Sequence, residues 1–285
     1  MIVTTVEFAS KSAQWISRHA GARSYSCVVS AVLAVLVVSA AHRPAIAVPI
    51  NYGSHVGNTV DYINVTEDTT TGDTQPLFGA PIFSADSIDF NPVGFDAAAS
   101  GTGDSDTTGA SLKFLIMSHA GKAITNISFS EAGDTTLGGL GNDATSTSVV
   151  ASGTLTVSQV DGVAIAPIVA PIALTFSPSG GTYGLLSDGA GGPIFHTPWT
   201  GSLLVNVGQI LTQAGVPFSF GASKVAIDLV NTLSATTQTG TAAVISKKDF
   251  GGISITVNIP EPTSLMLAGW SVFGFVGMAG RRRRG

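Results

Sequence analysis

The sequence has few of the residues on which many protein classes depend. Its 285 residues include one cysteine, Cys27, so no disulfide can form within the chain. Charged residues make up only 11%, which is low for a helical cytosolic enzyme. Between 48 and 260 there is no arginine, and five lysines stand against sixteen acidic residues, which leaves a net charge of −11. Phosphate backbones need cationic neutralisation, so this acidic body argues against nucleic acid as a partner.

Familiar catalytic patterns are also missing from this body. Its three histidines, His55, His119 and His196, are not spaced for metal binding, and no Gly-x-Ser-x-Gly elbow occurs. Segment 139–144, GLGNDA, fits Gly-x-Gly-x-x-Ala, but a β-prone run follows it, so a glycine turn is favoured over a nucleotide site. Paired carboxylates could in principle serve a glycosidase, although sequence does not give their separation. Two such pairs are Asp86 with Asp89 and Glu131 with Asp134.

Two stretches of the body leave a binding function open. Asp104 and Asp106 resemble the start of a calcium loop, because clustered carboxylates supply hard oxygen ligands. The rest of a helix-loop-helix calcium site does not follow, so the alternatives are a looser calcium site and a solvated loop. His196, beside Phe195 and Trp199, is compatible with a small sugar-binding pocket or with local packing.

The N-terminus reads as a secretory signal peptide over residues 1–47. A basic region precedes an apolar run at 27–41, and Ala45 and Ala47 supply a small-x-small cleavage signature, so we predict cleavage before Val48. The alternative is an N-terminal membrane anchor. The apolar run of about 15 residues is short for a bilayer span of about 20, which favours a cleaved signal helix.

The C-terminus combines a break, an apolar segment and a basic cluster. Pro260 and Pro262 end any preceding strand. Residues 263–280 carry no charge and, as a transmembrane helix, would reach about 27 Å. Four consecutive arginines would then remain on the cytoplasmic side. They are Arg281, Arg282, Arg283 and Arg284.

Pro260-Glu261-Pro262, the apolar segment and the terminal arginines, in this order, resemble the PEP-CTERM sorting signal of Gram-negative bacteria. The resemblance covers residues 260–285 only. It implies recognition by an exosortase, a membrane transpeptidase-like enzyme that cuts near the Pro-Glu-Pro and releases or transfers the protein outside the cell. A simple C-terminal anchor would explain the helix and the arginines but not the Pro-Glu-Pro.

Between these ends, short apolar runs are separated by turn residues. Six segments have period-two alternation or enough apolar residues to predict strands: 87–90, 112–118, 123–129, 153–160, 224–230 and 253–259. Within 123–129 the alternation places Ile127 and Phe129 on one face and Ile124 on the other. Asp161-Gly162 is a two-residue hairpin signal.

These patterns predict an all-β domain at 48–259, an antiparallel β-sandwich with a jelly-roll-like arrangement. One segment differs, because Val207, Ile210, Leu211 and Ala214 have helical spacing and Gly215 supplies a C-terminal stop. We therefore predict one short helix near 207–214. Segment 96–110, rich in Ala, Gly, Ser and Thr, is read as a linker or as a long loop within one sandwich.

Together these features predict an exported, non-catalytic surface or extracellular-matrix protein, at the inner membrane in transit and then at the cell surface or outside the cell. The expected partners are signal peptidase, an exosortase-like enzyme and an exopolysaccharide or biofilm matrix, the last implied only by the resemblance. No cofactor is expected, with calcium as the alternative. Two other functions stay open: a secreted carbohydrate- or calcium-binding β-sandwich module, and a secreted hydrolase with an unrecognised site.

Overall fold

The structure is a computed structural model that describes residues 48–186 and 194–258. Most of this part of the chain forms antiparallel strands. They are β1 (Ile50–Val56), β2 (Val60–Thr69), β3 (Pro81–Ser84), β4 (Ser87–Phe90), β5 (Asp96–Gly101), β6 (Ser105–Ser118), β7 (Ala123–Gly139), β8 (Ser146–Val160), β9 (Val163–Ala173), β10 (Thr175–Ser177), β11 (Thr182–Gly184), β12 (Ile194–Asn206), β13 (Ala222–Thr236) and β14 (Thr241–Asn258). One α-helix, α1 (Val207–Gln213), precedes β13.

The strands form two layers. Layer one has the order β1-β2-β6-β13-β8-β9, with β11 beside the start of β8. Layer two has the order β10-β12-β7-β14, and the free side of β14 pairs first with β5 and then with β4, which carries β3. A single pair, Ala222 with Ile124, joins β13 of layer one to β7 of layer two. The predicted all-β sandwich is thus confirmed.

The chain repeatedly crosses between these layers. From β5 to β8 each strand lies in the layer opposite the one before it, and β12, β13 and β14 repeat this alternation. Such crossing is how jelly rolls are wound. Neighbouring strands within one layer therefore come from distant parts of the sequence.

The core lies between the layers, where alternate side chains of both sheets point inward. Each large apolar side chain buried there contributes about 1.5–3 kcal/mol of transfer free energy. Aromatic rings fill much of the space, and Phe78 and Phe95 stack with their centroids 5.3 Å apart. The largest fully buried side chains include Trp199, Tyr62, Tyr183, Phe78, Phe90, Phe95 and Phe129.

Period-two alternation in the sequence corresponds closely to these strands. Ile88 and Phe90 are buried in β4. Leu155 and Val157 are buried in β8, while Thr154 and Thr156 face outward. The hairpin at Asp161-Gly162 is confirmed, because it joins β8 to β9. Both of its residues have positive φ, 51° and 80°, as a two-residue type I′ turn requires.

Ile124 is a correction to the predicted facing of β7. Ile124 is fully buried in the same core as Ile127 and Phe129, although it lies three and five residues before them. Strict alternation along a strand would place residues at odd separations on opposite faces. The register of β14 against β7 shifts between Thr256 and Val257, opposite this part of β7. A bulge of this kind changes which side chains face inward, so simple alternation fails here.

Segment 96–110 is a second correction, because it forms β5 and the beginning of β6 rather than a linker or a loop. Ala97 and Ala99 of β5 are buried. The hydroxyl of Thr108 donates to the Asp96 carbonyl at 2.7 Å, which ties β6 of layer one to β5 of layer two. Small side chains let the layers approach here. Because these side chains are only weakly hydrophobic, the sequence pattern did not predict a strand.

Helix α1 confirms the predicted short helix. Val207 and Leu211 are buried, and the side chain of Asn206 caps the first turn by accepting from the Gln209 amide at 2.8 Å. Gly215 follows with a φ of 69°, the left-handed conformation expected after a helix end.

Strand β9 forms the edge of layer one and contains no polar side chain. Its sequence is VAIAPIVAPIA, and within the described residues only β8 pairs with it. Pro167 and Pro171 lack an amide hydrogen, so they remove donors that another strand could use. The edge is therefore apolar in composition but poorly suited to strand addition.

No helix within 48–186 and 194–258 is long and apolar enough to cross a membrane. The predicted signal helix and the predicted transmembrane helix at 263–280 both lie outside the described residues.

Candidate functional site

A groove of about 340 Å³ lies on the outward face of layer one. Strand pairing places its lining in two rows that cross β6, β13 and β8. The first row is Lys113, Asp228 and Thr154, and the second is Leu115, Ala226 and Thr156. In the second row a short alanine lies between longer side chains, which gives the sheet face a depression.

Strand β2 forms the side of this groove beyond β6. Its pairing with β6 is irregular between Ile63 and Thr66, and Asn64 takes a φ of 51°. The Asn64 amide donates to the Ser54 hydroxyl of β1 at 3.1 Å, which holds this irregular segment in place. As a result both Ile63 and Asn64 line the groove.

The groove can offer hydrogen bonds and one exposed ion pair. Lys113 Nζ lies 3.1 Å from the Asp228 carboxylate, and both side chains are about half exposed. An exposed pair of this kind contributes about 0–1 kcal/mol to stability, so its groups can exchange partners with a ligand. Phe114 is only 4% exposed and belongs to the core, so the groove suits a hydrogen-bonded polar ligand better than a stacked one.

A second cleft of about 480 Å³ lies between β9, β12 and α1. Leu203, Leu204 and Ile210 give it an apolar character, and Leu204 is 68% exposed. It contains no charged side chain among its described lining residues. Neither ion binding nor acid–base chemistry is supported there.

The strongest electrostatic feature is buried. Lys247 on β14 donates through Nζ to the carboxylate of Glu131 on β7, and both side chains are 0% exposed. The Lys247 Nζ also lies 5.0 Å from the ring centroid of Phe78 and 5.3 Å from that of Phe95. Burial lowers the pKa of Lys247, and the charge of Glu131 opposes this effect. Removing two charges from water costs several kcal/mol per ion.

Other polar atoms of the core lack partners. Among the described residues, Oε1 of Glu131, Nε1 of Trp199 and both amide atoms of Asn231 have no hydrogen-bond partner. Asn231 is fully buried on the inward face of β13, between Leu229 and Leu233. An unpaired buried polar group costs about 1–3 kcal/mol, so a side chain with two such atoms needs an explanation.

The predicted calcium residues lie at the β5–β6 turn, and their carboxylates bind backbone amides. Asp106 accepts from the Ala98 amide at 2.8 Å, and Asp104 accepts from the Ser105 amide at 2.9 Å. In the described part of the chain no group of three or more His, Cys, Asp or Glu side chains is arranged to hold a metal ion. A calcium site at Asp104 and Asp106 stays a prediction.

His196 and Trp199 do not share a surface pocket. His196 is exposed and its Nδ1 lies 2.9 Å from the Thr136 hydroxyl, whereas Trp199 is 1% exposed and meets Phe176 edge-on at 5.9 Å. Local packing, the second of the two interpretations, therefore describes Trp199.

The carboxylate pairs considered for hydrolysis have structural partners. Glu131 points into the core, whereas Asp134 binds Lys248 on the outer face, so the two carboxylates lie on opposite sides of β7. Asp86 accepts from the Thr59 amide at 2.8 Å and the Thr59 hydroxyl at 2.6 Å. These bonds hold the pKa of Asp86 below its usual range even though burial acts in the opposite direction.

The predicted sorting and processing residues lie almost entirely outside the described residues. This applies to Ala45 and Ala47 at one end and to Pro260, Glu261, Pro262, Arg281, Arg282, Arg283 and Arg284 at the other. Val48, the residue predicted to follow the cut, is the first described residue and is 79% exposed.

Sequence reasoning missed Lys247, Asn231 and the role of Glu131, but a signal was present. Each lies at a position of its strand where alternation predicts a buried side chain. Asn231 lies between two buried leucines, and Glu131 follows buried Phe129 by two residues. Lys247 follows buried Ala243 and Ile245 in the same alternation. A polar residue in an apolar phase of a period-two pattern indicates a buried polar group.

No protein-family model matches the sequence, and no curated protein is similar to it. Among solved structures the chain is similar to a carbohydrate-binding module, TmCBM61, in complex with β-1,4-galactotriose, at 9% identity over 60% of this chain and 70% of that one, with a TM-score of 0.20. It is also similar to CBM28, a module specific for non-crystalline cellulose, at 10% identity over 60% and 79% of the two chains and a TM-score of 0.20. Endoglucanase 3 of Trichoderma harzianum, from family GH12, is similar at 12% identity over 75% of this chain and 99% of that one, with a TM-score of 0.22. Likenesses at these TM-scores do not bear on function.

Proposed function

We propose that this chain is an exported, non-catalytic surface or matrix protein in which the β-sandwich is the cargo and the two ends are removable sorting signals. Signal peptidase would cut before Val48, and an exosortase-like membrane enzyme would cut near Pro260-Glu261-Pro262. The sandwich would then be displayed on the cell surface or released from it.

The observation that carries this proposal is the succession of Pro260-Glu261-Pro262, the charge-free segment 263–280 and the four terminal arginines, together with the signal-like N-terminal segment 1–47. β1 begins at Ile50, shortly after the first cut, and β14 ends at Asn258, shortly before Pro260. Removing both ends would therefore leave every described strand in place.

A non-catalytic role is supported by the way the body uses its buried carboxylates. Glu67 is fully buried and accepts from the amides of Leu77 and Phe78 and from the hydroxyl of Tyr52. Glu131 is held by Lys247. Carboxylates held by structural donors inside a core do not reach a substrate.

The decisive experiment follows the C-terminus in the native host. Pro260, Glu261 and Pro262 are replaced by alanine, and the intact mass and location of the protein are determined. We expect the wild type to lack residues 1–47 and the arginine tail, and the variant to retain the tail and stay with the membrane. A matched control replaces Thr263 and Ser264 by alanine and should be processed like the wild type. Unchanged processing of the triple variant would refute the proposal.

A second candidate function, binding of a polysaccharide, is favoured by the layer-one groove. Its threonines and its exposed Lys113–Asp228 pair offer donors and acceptors to sugar hydroxyls. Titration calorimetry with soluble β-glucan and β-galactan would test this, with Asp228→Asn expected to abolish binding and Ser234→Ala, on the same face but outside the groove, expected to preserve it. Absence of binding by the wild type would remove this candidate.

Calcium binding is tested separately at the β5–β6 turn. A site at Asp104 and Asp106 would raise the melting temperature when calcium is added, and Asp104→Asn should abolish the rise. A wild-type melting temperature that does not change with calcium would remove the site.

A further inference from the structure

Three polar side chains enter the same region of the core from three different strands. Lys247 comes from β14, Glu131 from β7 and Asn231 from β13, which lies in the opposite layer. All three are buried, and among the described atoms the Asn231 amide and one oxygen of Glu131 have no hydrogen-bond partner. Such a set of a buried amine, a carboxylate and an unpaired amide contains the parts of an amide-forming reaction.

The register of the strands places Asn231 opposite Lys247. Asn231 pairs with Ala110 of β6. Two residues before Ala110, the hydroxyl of Thr108 donates to the Asp96 carbonyl in the other layer at 2.7 Å. Asp96 in turn pairs with Ser246, the residue before Lys247. Lys247 and Asn231 therefore lie at nearly the same height on facing strands.

A second, independent path places Asn231 opposite Glu131. The hydroxyls of Thr135 on β7 and Thr147 on β8 meet across the layers at 2.6 Å. Glu131 lies four residues before Thr135, and Ala151 lies four residues after Thr147, so both are displaced in the same direction along the antiparallel strands. Ala151 is the β8 partner of Asn231. Packed sheets are about 10 Å apart, a gap that a long lysine and a short asparagine side chain reaching from opposite sides can close.

We propose that Lys247 and Asn231 become joined by an intramolecular isopeptide bond, with Glu131 carrying the proton. Lys247 first transfers a proton from its ammonium group to Glu131, which leaves a neutral amine. The Nζ lone pair then attacks the amide carbon of Asn231, and the neutral Glu131 acid donates a hydrogen bond to the amide oxygen as negative charge develops there. The new C–N bond forms, the bond to Nδ2 breaks, and the second proton of the amine passes to the leaving group, which departs as ammonia.

The surroundings favour this reaction. Burial disfavours the charged form of Lys247, which makes the neutral nucleophile accessible. The rings of Phe78 and Phe95 lie beside the amine and keep water from the site. The reaction converts a buried ion pair into a neutral amide and a neutral acid, so the desolvation cost of two charges is removed. No oxidant, metal or added reactant is needed.

The bond would join the two layers through covalent chemistry that requires no cysteine. It would also close the chain between residues 231 and 247 into a ring. The inference goes beyond the proposed function and does not depend on it, because the reaction needs only the folded sandwich.

Tandem mass spectrometry of tryptic peptides from the folded full chain tests the proposal. Cleavage after Lys224 and Lys248 gives one peptide, 225–248, that contains both partners. We expect this peptide to be lighter than its sequence by one ammonia, uncut at Lys247, and without backbone fragment ions from inside the ring. A peptide of full mass would refute the proposal. A succinimide at Asn231 would also lose ammonia, but Lys247 would stay cleavable and fragment ions would appear, and this result too would refute it.

Three variants test the roles of the residues. Lys247→Arg should abolish the mass loss completely, and so should Glu131→Gln, which keeps the shape of the side chain but accepts no proton. Asn231→Asp should form the same amide with loss of water, so its cross-linked peptide should have the mass of the cross-linked wild type. If Glu131→Gln still forms the bond, the role of Glu131 is wrong. The wild-type measurement decides the main claim even if a variant fails to fold.

Discussion

Gly133 lies on β7 at a place where a single added methyl group has no room. A Cβ there would stand 2.1 Å from the Ser246 carbonyl oxygen and 2.4 Å from the Trp199 ring. Trp199 is itself held in the core by edge-on contact with Phe176 at 5.9 Å. Neither the backbone of β14 nor the buried ring can move freely, so Gly133→Ala should strain both.

The magnitude follows from the nature of these obstacles. Forcing extra methyl groups into a well-packed core costs about 1–3 kcal/mol, and we expect the upper end because one obstacle is backbone. For a domain of this size about 1 kcal/mol corresponds to about 2–4 °C. Gly133→Ala should therefore lower the melting temperature by roughly 6–12 °C.

Gly208 in α1 provides the matched control. A Cβ there would meet the Asn206 side chain at 3.4 Å and Phe218 at 3.8 Å, which are ordinary contacts. Gly208→Ala should stabilise the protein by about 0.5–1 kcal/mol, since alanine favours the helix. Both variants are compared by circular dichroism during heating and in urea. A Gly133→Ala protein that melts within about 2 °C of the wild type would show that Trp199 does not pack against β7 as described.

Three further predictions concern polar contacts. Asp161→Asn should cost about 1 kcal/mol at neutral pH, because the amides of Ser219 and its two successors hold the pKa of Asp161 below its usual range. A lowered folded-state pKa of Asp161 stabilises the fold above the unfolded value of about 3.9. The difference between the two urea midpoints should therefore shrink as pH falls below about 4 and disappear once pH is below the folded-state pKa; a difference that does not shrink with falling pH would contradict this cause. Asn206→Ala should remove the helix cap and cost about 1 kcal/mol in urea unfolding, and an unchanged midpoint would show that α1 needs no cap. Tyr52→Phe should cost about 1–2 kcal/mol in the same assay, because the hydroxyl donates to buried Glu67 at 2.7 Å; wild-type stability would show that this bond is dispensable.

Local patterns in the sequence predict the parts of this fold that depend on nearest neighbours. Alternation places Ile88 and Phe90, or Val225 and Ile227, correctly in the core, because a strand with one buried face must repeat every two residues. The hairpin at 161–162 and the helix near 207 also have their causes within a few residues, in backbone conformation and capping.

Other parts depend on contacts that no local pattern reveals. β5 looks like a linker because its alanines are small, and it becomes a strand only through pairing with β14. The layer-one groove joins Lys113 to Asp228, which are distant in sequence and become neighbours only when β6 pairs with β13. The same holds for Asn231 and Lys247. The position of each residue in the period-two pattern predicts that it is buried, but it does not predict which residue lies opposite.

The placement of β14 has a consequence for the order in which the molecule can be completed. The last of the described strands, β14, lies inside layer two, where it pairs with β4, β5 and β7. A chain that emerges from a ribosome or a translocation pore with its N-terminus first must wait for residues 241–258 before these three strands have their common neighbour. If the chain is exported as proposed, the sandwich can close only after residues 241–258 have passed through the translocation pore.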